Sequence, residues 1–350
     1  MIKIKKRLTT SEKTKQERKN VLVTGGAGFI GSHLCEELVK KYNIICLDNF
    51  STSNVENIRF LLQNPNFEFL KYNINEPLEL EKLPELKKFQ IKVFGIQEIY
   101  NLACPTSAKN FNDFVLDTIL ANSQGLKNML DLALKYDANL VHASSAVVYG
   151  PRLSKENIRE DYLGKVDFIG PRSCYDEGKR FAETIINTYN SFYKKKFKIA
   201  RVFRTYGPRL ALNDGQMLSD FILNALDNKD LEIFGDNEFS TTLCYVSDIV
   251  DGLIKLMDSE LFTPVNLGSD KDVHLNEVAE KIIKMTDSDS KIVYRAALYF
   301  ITQLCLPDIS LAKEKLGWYP LVSLEQGLQN TMEYTRAHKQ LLTSLINNSK

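Results

Sequence analysis

Three side chains in this sequence have the types and the order needed to oxidise an alcohol. "SCYDEGKRFAE", residues 173–183, sets Tyr175 four places before Lys179. The stretch reads as the start of a helix, so the two sit one turn apart on one face. Ser145 lies upstream in the apolar run "NLVHASSAVVYG". Removing hydride from a carbinol carbon also means removing the hydroxyl proton. A tyrosinate does this as general base, but a free phenol titrates near ~10. A neighbouring ammonium favours the charged form and lowers that value. The Ser145 hydroxyl would hydrogen-bond the substrate oxygen and orient it. Taken alone, the Tyr-Lys spacing is equally a solvated helix face. The decision rests on whether the chain also supplies a hydride acceptor.

"NVLVTGGAGFIGSHLCEELVKK" supplies the place for one. Val21–Thr24 form a short β-branched apolar run, as a buried parallel strand requires. Gly25, Gly28 and Gly31 follow, and Ile30, Leu34, Leu38 and Val39 then recur at helical intervals. Glycines between a strand and a helix allow a tight turn, a close pyrophosphate and close helix–strand packing. The helix start, at Phe29 and Ile30, offers free N–H groups to phosphate. The second strand, "IICLD", ends at Asp48, where an acid meets ribose hydroxyls and repels a 2′-phosphate. These residues together point to NAD rather than NADP.

The elements that must position both sets alternate as in an α/β fold with a doubly wound parallel sheet, a Rossmann fold. "FEFLKYNI" is a third strand with Asn73 and Ile74 at its end, "EIYNLAC" a fourth, "NLVHASSAVVYG" a fifth and "KIARVFRTYGP" a sixth. A long helix is expected from about Asp117 to Tyr136. Strand ends form the ligand crevice of such sheets, so Leu102 and Ala103 are expected at the cofactor, and Cys104 and Ser144 at the substrate. Nothing near Cys104 in sequence would lower its pKa, and an inert thiol is the plainer reading. From Leu210 onward shorter helices and loops predict a smaller C-terminal substrate lobe. "YVSDIVDGLIKLM" and "PVNLGS" are expected to return to the main sheet. The predicted division is a flexible basic tail at 1–19, a nucleotide domain at 20–207 and a lobe at 208–350, with 245–269 rejoining the first domain. The single Trp318 reads as core.

Bulk properties narrow the classes. The 350 residues are 44% hydrophobic and 25% charged, with a formal charge of +1. That balance gives no electrostatic case for nucleic acid or for a membrane surface. No apolar run reaches the length of a membrane span, and the basic start lacks the apolar core of a signal peptide. The six cysteines are scattered without ligand spacing, so no metal site is expected. Their pattern points to a reducing compartment, and a cytoplasmic protein is expected.

"TGGAGFIG", "SSAVVYG", "YDEGK", "RTYGPR" and "PVNLGS", in this order, resemble the extended short-chain dehydrogenase/reductase family, most of whose members act on nucleotide sugars. The wording of "GPRSCYDEGKRFAET", "YVSDIVDGLIKLM" and "PDISLAKEKLGWYP" is most similar to its UDP-glucuronate decarboxylases. The resemblance covers nearly the whole chain after residue 19. It implies tightly held NAD, bound by Gly25, Gly28, Gly31, Asp48 and Asn49, and a catalytic set of Ser145, Tyr175 and Lys179. It also implies a nucleotide-sugar substrate, oxidation at C4, and homodimers packed through the 117–136 helix and the helix of Tyr175.

Departures from that group keep alternatives open. Its Ser-Glu pair is Ala146 and Val147 here, one arginine is Cys305 and a second is Thr241. Arg204 stands where asparagine is usual, and Asn73 where an adenine-reading aspartate is common. Arg204 and Arg209 are candidates to supply the lost positive charge. A 4,6-dehydratase needs an Asp-Glu pair that is absent. Whole-chain wording favours a decarboxylase, site chemistry a 4-epimerase, and the missing arginines allow a non-catalytic NAD binder.

Overall fold

The alternating pattern folds, in a computed structural model, around one parallel sheet; residues 18–106, 113–212, 217–297 and 303–348 are described. The first half supplies β1 (Asn20–Thr24), α1 (Phe29–Leu38), β2 (Asn43–Asp48), β3 (Phe67–Lys71), α2 (Ile91–Phe94), β4 (Glu98–Asn101), α3 (Val115–Leu120), α4 (Leu126–Tyr136), β5 (Asn139–Ser145), β6 (Asn157–Ile158), α5 (Ser173–Tyr193) and β7 (Lys198–Val202). The second half supplies β8 (Thr205–Tyr206), α6 (Leu218–Leu226), β9 (Leu231–Phe234), β10 (Ser240–Thr241), β11 (Cys244–Tyr245), α7 (Val246–Asp258), β12 (Val265–Leu267), β13 (Val273–His274), α8 (Leu275–Thr286), β14 (Ile292–Arg295), β15 (Leu306–Pro307), α9 (Ser310–Leu316) and α10 (Leu324–Asn348).

The seven-stranded sheet has the order β12-β7-β5-β4-β1-β2-β3, and all its pairs are parallel. The order reverses between β1 and β4, which places a crevice at their carboxyl ends. Strand periodicity divides the core into two layers. Val21, Val23, Ile44 and Cys46 pack on one face with α7 residues such as Ile249 and Leu253. Leu22, Ile45 and Leu47 pack on the other with Leu126, Met129 and Leu130 of α4. Burial on both faces is why these strands read as continuous apolar runs. β12 joins the sheet after a long excursion, its Val265 and Leu267 fully buried.

The smaller lobe has its own core. Phe221 and Ile222 of α6 meet Val278 and Ile282 of α8, with Leu328 of α10. Trp318 is fully buried and donates its indole N–H to the Asp248 carbonyl at 2.8 Å, so it is core. Most of the expected basic tail lies outside the described residues. Its last two positions are tied down instead: Arg18 donates to the Val39 carbonyl at 2.9 Å, and Lys19 pairs with Glu98 at 2.6 Å.

Two expected elements differ. The 117–136 helix is broken by a π-helical turn at Ala121–Gly125, between α3 and α4. The fifth strand ends at Ser145, and Ala146–Tyr149 form a 3-10 turn. These four residues are apolar because they are buried against Phe203 and Cys305 (Val147 against Tyr175), and not because they are strand.

Candidate active site

Ser145 ends β5 at the mouth of the crevice. Its Oγ accepts the Val147 N–H at 3.4 Å, so the 3-10 turn fixes the hydroxyl. The same hydroxyl lies close enough to the Tyr175 phenol to favour its ionised form. Tyr175 lies in the first turn of α5 and Lys179 in the next. Lys179 Nζ donates to the Ala143 carbonyl at 2.8 Å and lies 5.8 Å from the Tyr175 ring centroid. Both side chains are buried. The structure thus brings Ser145, Tyr175 and Lys179 together from two elements.

Electrostatics in the protein alone run against the sequence expectation for the phenol. Burial pushes the Tyr175 pKa well above its ordinary value, and the Ser145 hydroxyl and the Arg172 charge only partly offset this. Burial likewise lowers the Lys179 pKa, opposed by the neighbouring Cys104 and Glu183. The ammonium is held by a carbonyl rather than by the phenol, so it does not by itself bring Tyr175 into the physiological range.

The glycine turn makes the second half of the site. Gly25 has φ +66°, and a Cβ on it would lie 2.8 Å from the Ala103 nitrogen. A Cβ on Gly31 would lie 2.1 Å from the Gly25 carbonyl oxygen, so the helix start could not pack as it does. α1 has no side-chain cap at Gly28 and no acid in its first turn, which includes Phe29, Ile30 and Gly31. Its first N–H groups, including those of Phe29 and Ile30, therefore face the crevice mouth without a capping side chain. Asp48 accepts from the Ala27 N–H at 3.0 Å, the Phe50 N–H at 2.9 Å and the Ser53 hydroxyl at 2.7 Å. It pins the turn and keeps about one of its four lone-pair sites for a further donor. A bare, close-packed turn with an acid beside it fits a dinucleotide. Leu102 and Ala103 face that turn, their N–H groups donating to Thr24. Asn49 and Asn73 turn their amide oxygens back on Ser51 and Asn75. Ile74 is buried beside Gly125.

The substrate-side candidates separate. Ser144 turns away from the phenol: its hydroxyl donates to Glu183 at 2.6 Å, because adjacent strand residues face opposite ways, and Ser145 is the one at Tyr175. Arg209 pairs with Glu36 of α1 at 2.6 Å and lies over the Phe60 ring, bracing the lobe against the nucleotide half. Arg204 sits between β7 and β8, its carbonyl accepting from the Cys244 N–H. Cys104 packs in one apolar cluster with Tyr175; its thiol accepts from Asn122 at 3.1 Å, and burial raises its pKa. Thr241 and Cys305 are buried. Arg152 brings a charge near Cys305, but Asp272 holds it at 2.7 Å and Ser240 at 3.0 Å.

Sequence reasoning missed three groups. Asn122, in the π-helical turn, donates to Cys104 and to the Thr118 carbonyl, and Gly178 of α5 leaves room for it. Glu183 binds Ser144 and the Arg201 guanidinium, and its spacing of four from Lys179 was a usable signal. Val147, Cys174, Cys104 and Leu304 surround the phenol, and only folding brings them together. Among the described residues no cluster could hold a metal ion, all six cysteines are free thiols, and no helix is long and apolar enough to cross a membrane.

Comparison with known proteins bears on the family and the fold. The NAD dependent epimerase/dehydratase family matches residues 21–268. UDP-glucuronic acid decarboxylase 1 of Xenopus tropicalis is 38% identical over 325 residues, covering 92% of this chain and 73% of its own. UDP-glucuronic acid decarboxylase 4 of Arabidopsis thaliana is 40% identical over 309 residues, covering 88% and 66%. The structure of UDP-glucose 4-epimerase with UDP-glucose from Thermotoga maritima superposes with a TM-score of 0.81 at 27% identity, covering 91% of this chain and 99% of that one.

Proposed function

From the premise that the chain belongs to the NAD dependent epimerase/dehydratase family, we propose that it oxidises a UDP-linked sugar at C4. Its whole-chain resemblance is to the decarboxylases. The observation that carries this reading is the convergence of Ser145, Tyr175 and Lys179 in a sheet whose first strand ends in a close-packed glycine turn. When bound, NAD supplies a hydride acceptor and a positive charge. The residues that would hold it are the turn at Gly25–Gly31, with Asp48, Leu102 and Ala103. The positive charge the cofactor would bring would favour the phenolate that burial disfavours, and Tyr175 would take the C4 hydroxyl proton. Ser145 hydrogen-bonds the sugar oxygen and orients it. Lys179 keeps a second positive charge one turn away.

A homodimer is supported by apolar residues exposed on α3 and α5, the neighbouring helices of this half. Leu116 is 73% exposed, and Ile119, Leu120 and Phe181 are also exposed. Six unpaired thiols accord with a reducing compartment such as the cytoplasm.

The test has two parts. Denatured protein should release NAD. Tyr175→Phe should keep that NAD but lose turnover of UDP-sugars by ~10²–10⁴-fold. Protein that carries no NAD, or a phenylalanine variant as active as its parent, would remove the basis of the reading.

A further inference from the structure

His142 of β5 is 1% exposed and takes no part in the steps assigned to Tyr175. Burial, and next the charge of Lys179, hold its pKa well below the ordinary value, so the ring is neutral. The neighbouring strands fix its tautomer. The Ala103 N–H donates to Thr24 Oγ1 at 3.3 Å, and that hydroxyl donates to Asn101 Oδ1 at 2.6 Å. The Asn101 amide nitrogen therefore faces His142 and donates to Nδ1 at 3.0 Å. The ring proton sits on Nε2, a buried donor that finds no partner among the described residues. An acceptor in the same state stands on the π-helical turn. Asn122, also 1% exposed, gives its amide protons to Cys104 and to the Thr118 carbonyl, and its Oδ1 finds no partner among the described residues. It packs on Gly178, the residue before Lys179: a Cβ there would lie 3.2 Å from Asn122 Nδ2. The lysine between these two atoms has three ammonium donors, and the Ala143 carbonyl takes one.

We propose that one internal water joins the three groups, accepting from His142 Nε2–H and from Lys179 and donating to Asn122 Oδ1, so that His142 is a positioning residue for the lysine. Internal waters satisfy buried polar groups of this kind, typically through about three hydrogen bonds. The inference deepens the C4-oxidation reading, in which Lys179 stays charged and favours the Tyr175 phenolate. Burial works against that charge, and a water restores part of the lost solvation. The other groups facing the lysine are Tyr175 and Glu183 of its own helix and Cys104 beyond β4. Those facing the phenol are Cys104, Ser145, Asp176 and Arg172. All of them stay in place in the variants below.

The experiment titrates NAD-loaded protein with alkali at the phenolate absorbance, and subtracts the Tyr175→Phe curve to isolate Tyr175. His142→Leu fills the space without the donor and should raise the Tyr175 midpoint by about one pH unit. His142→Gln, whose amide reaches the place of Nε2, should restore most of the shift. His142→Asn reaches only the place of Nδ1 and should behave like His142→Leu. Lys179→Met sets the upper limit of the shift. A merely structural histidine would lower the unfolding midpoint and leave the phenol titration alone. A crystal structure of the parent with NAD, which needs no variant to fold, should show one water within hydrogen-bond distance of Nε2, the ammonium and Asn122 Oδ1. Density without that water overturns the inference and leaves C4 oxidation standing. So does a His142→Leu midpoint equal to the parent's while Lys179→Met shifts it. If Lys179→Met also leaves the midpoint unmoved, the lysine's part in the C4 reading falls, and the inference with it.

Discussion

Removing one carboxylate should loosen the platform on which the reactive residues stand. Glu183 accepts from Ser144 Oγ at 2.6 Å and from Arg201 Nη2 and Nε at 2.7 and 3.0 Å. The two charged side chains are 13% and 11% exposed. Arg201 also donates to the Tyr149 hydroxyl at 2.8 Å, which in turn donates to Asn266 at 2.7 Å. The network joins β5, α5, β7 and β12. Glu183→Ala leaves the guanidinium buried without its counter-charge, a loss of about 3–5 kcal/mol. Folded domains of ordinary stability have about 5–15 kcal/mol in hand. The urea midpoint should therefore fall by roughly a third or more at unchanged slope. Adding Arg201→Met removes the stranded charge, so the double variant should be more stable than the sum of its singles by about 1–3 kcal/mol. Glu183→Gln keeps an acceptor for Ser144 and should fall between. A midpoint change in Glu183→Ala equivalent to less than ~1 kcal/mol, or strict additivity in the double variant, would show that the pair holds nothing.

Two further outcomes follow from exposure and titration. Leu116→Glu on α3 should turn a dimer into a monomer in sedimentation without lowering the unfolding midpoint; a parent that sediments as a monomer refutes the dimer. His33 is pushed by burial, and next by Arg209, from 6.5 down to about 4. The unfolded chain then binds a proton that the folded chain refuses, so stability is lost as pH falls through the window from 6.5 to about 4. The contribution is up to about 3 kcal/mol, and buried His142 acts in the same direction. His33→Gln should flatten stability across that window, and an equal slope in variant and parent would remove His33 as a cause.

The strands of the main sheet were legible because burial on both faces leaves no polar alternation to confuse them. The glycine turn was legible because each glycine answers a steric demand of its own. Ser145, Tyr175 and Lys179 were readable from strand end and helix spacing. Ser144 and Ser145 look alike in a row, and only the pleat sends their hydroxyls apart, one to Glu183 and one to Tyr175. The π-helical turn escaped because one inserted residue barely disturbs helical periodicity. The Arg209 ion pair could not be read locally because its partner, Glu36, lies far back in the chain. The phenol's apolar wall is drawn from four separate segments, and no local pattern announces it.

The late arrival of β12 governs how the protein can be made. β7 is complete at Val202, but its outer neighbour ends at Leu267. At ordinary translation speeds that interval is roughly 3–13 s. Throughout it, a growing chain carries a bare strand margin able to recruit another nascent copy. Fragments that stop short of Leu267 keep that margin for good, so insoluble product is their expected fate.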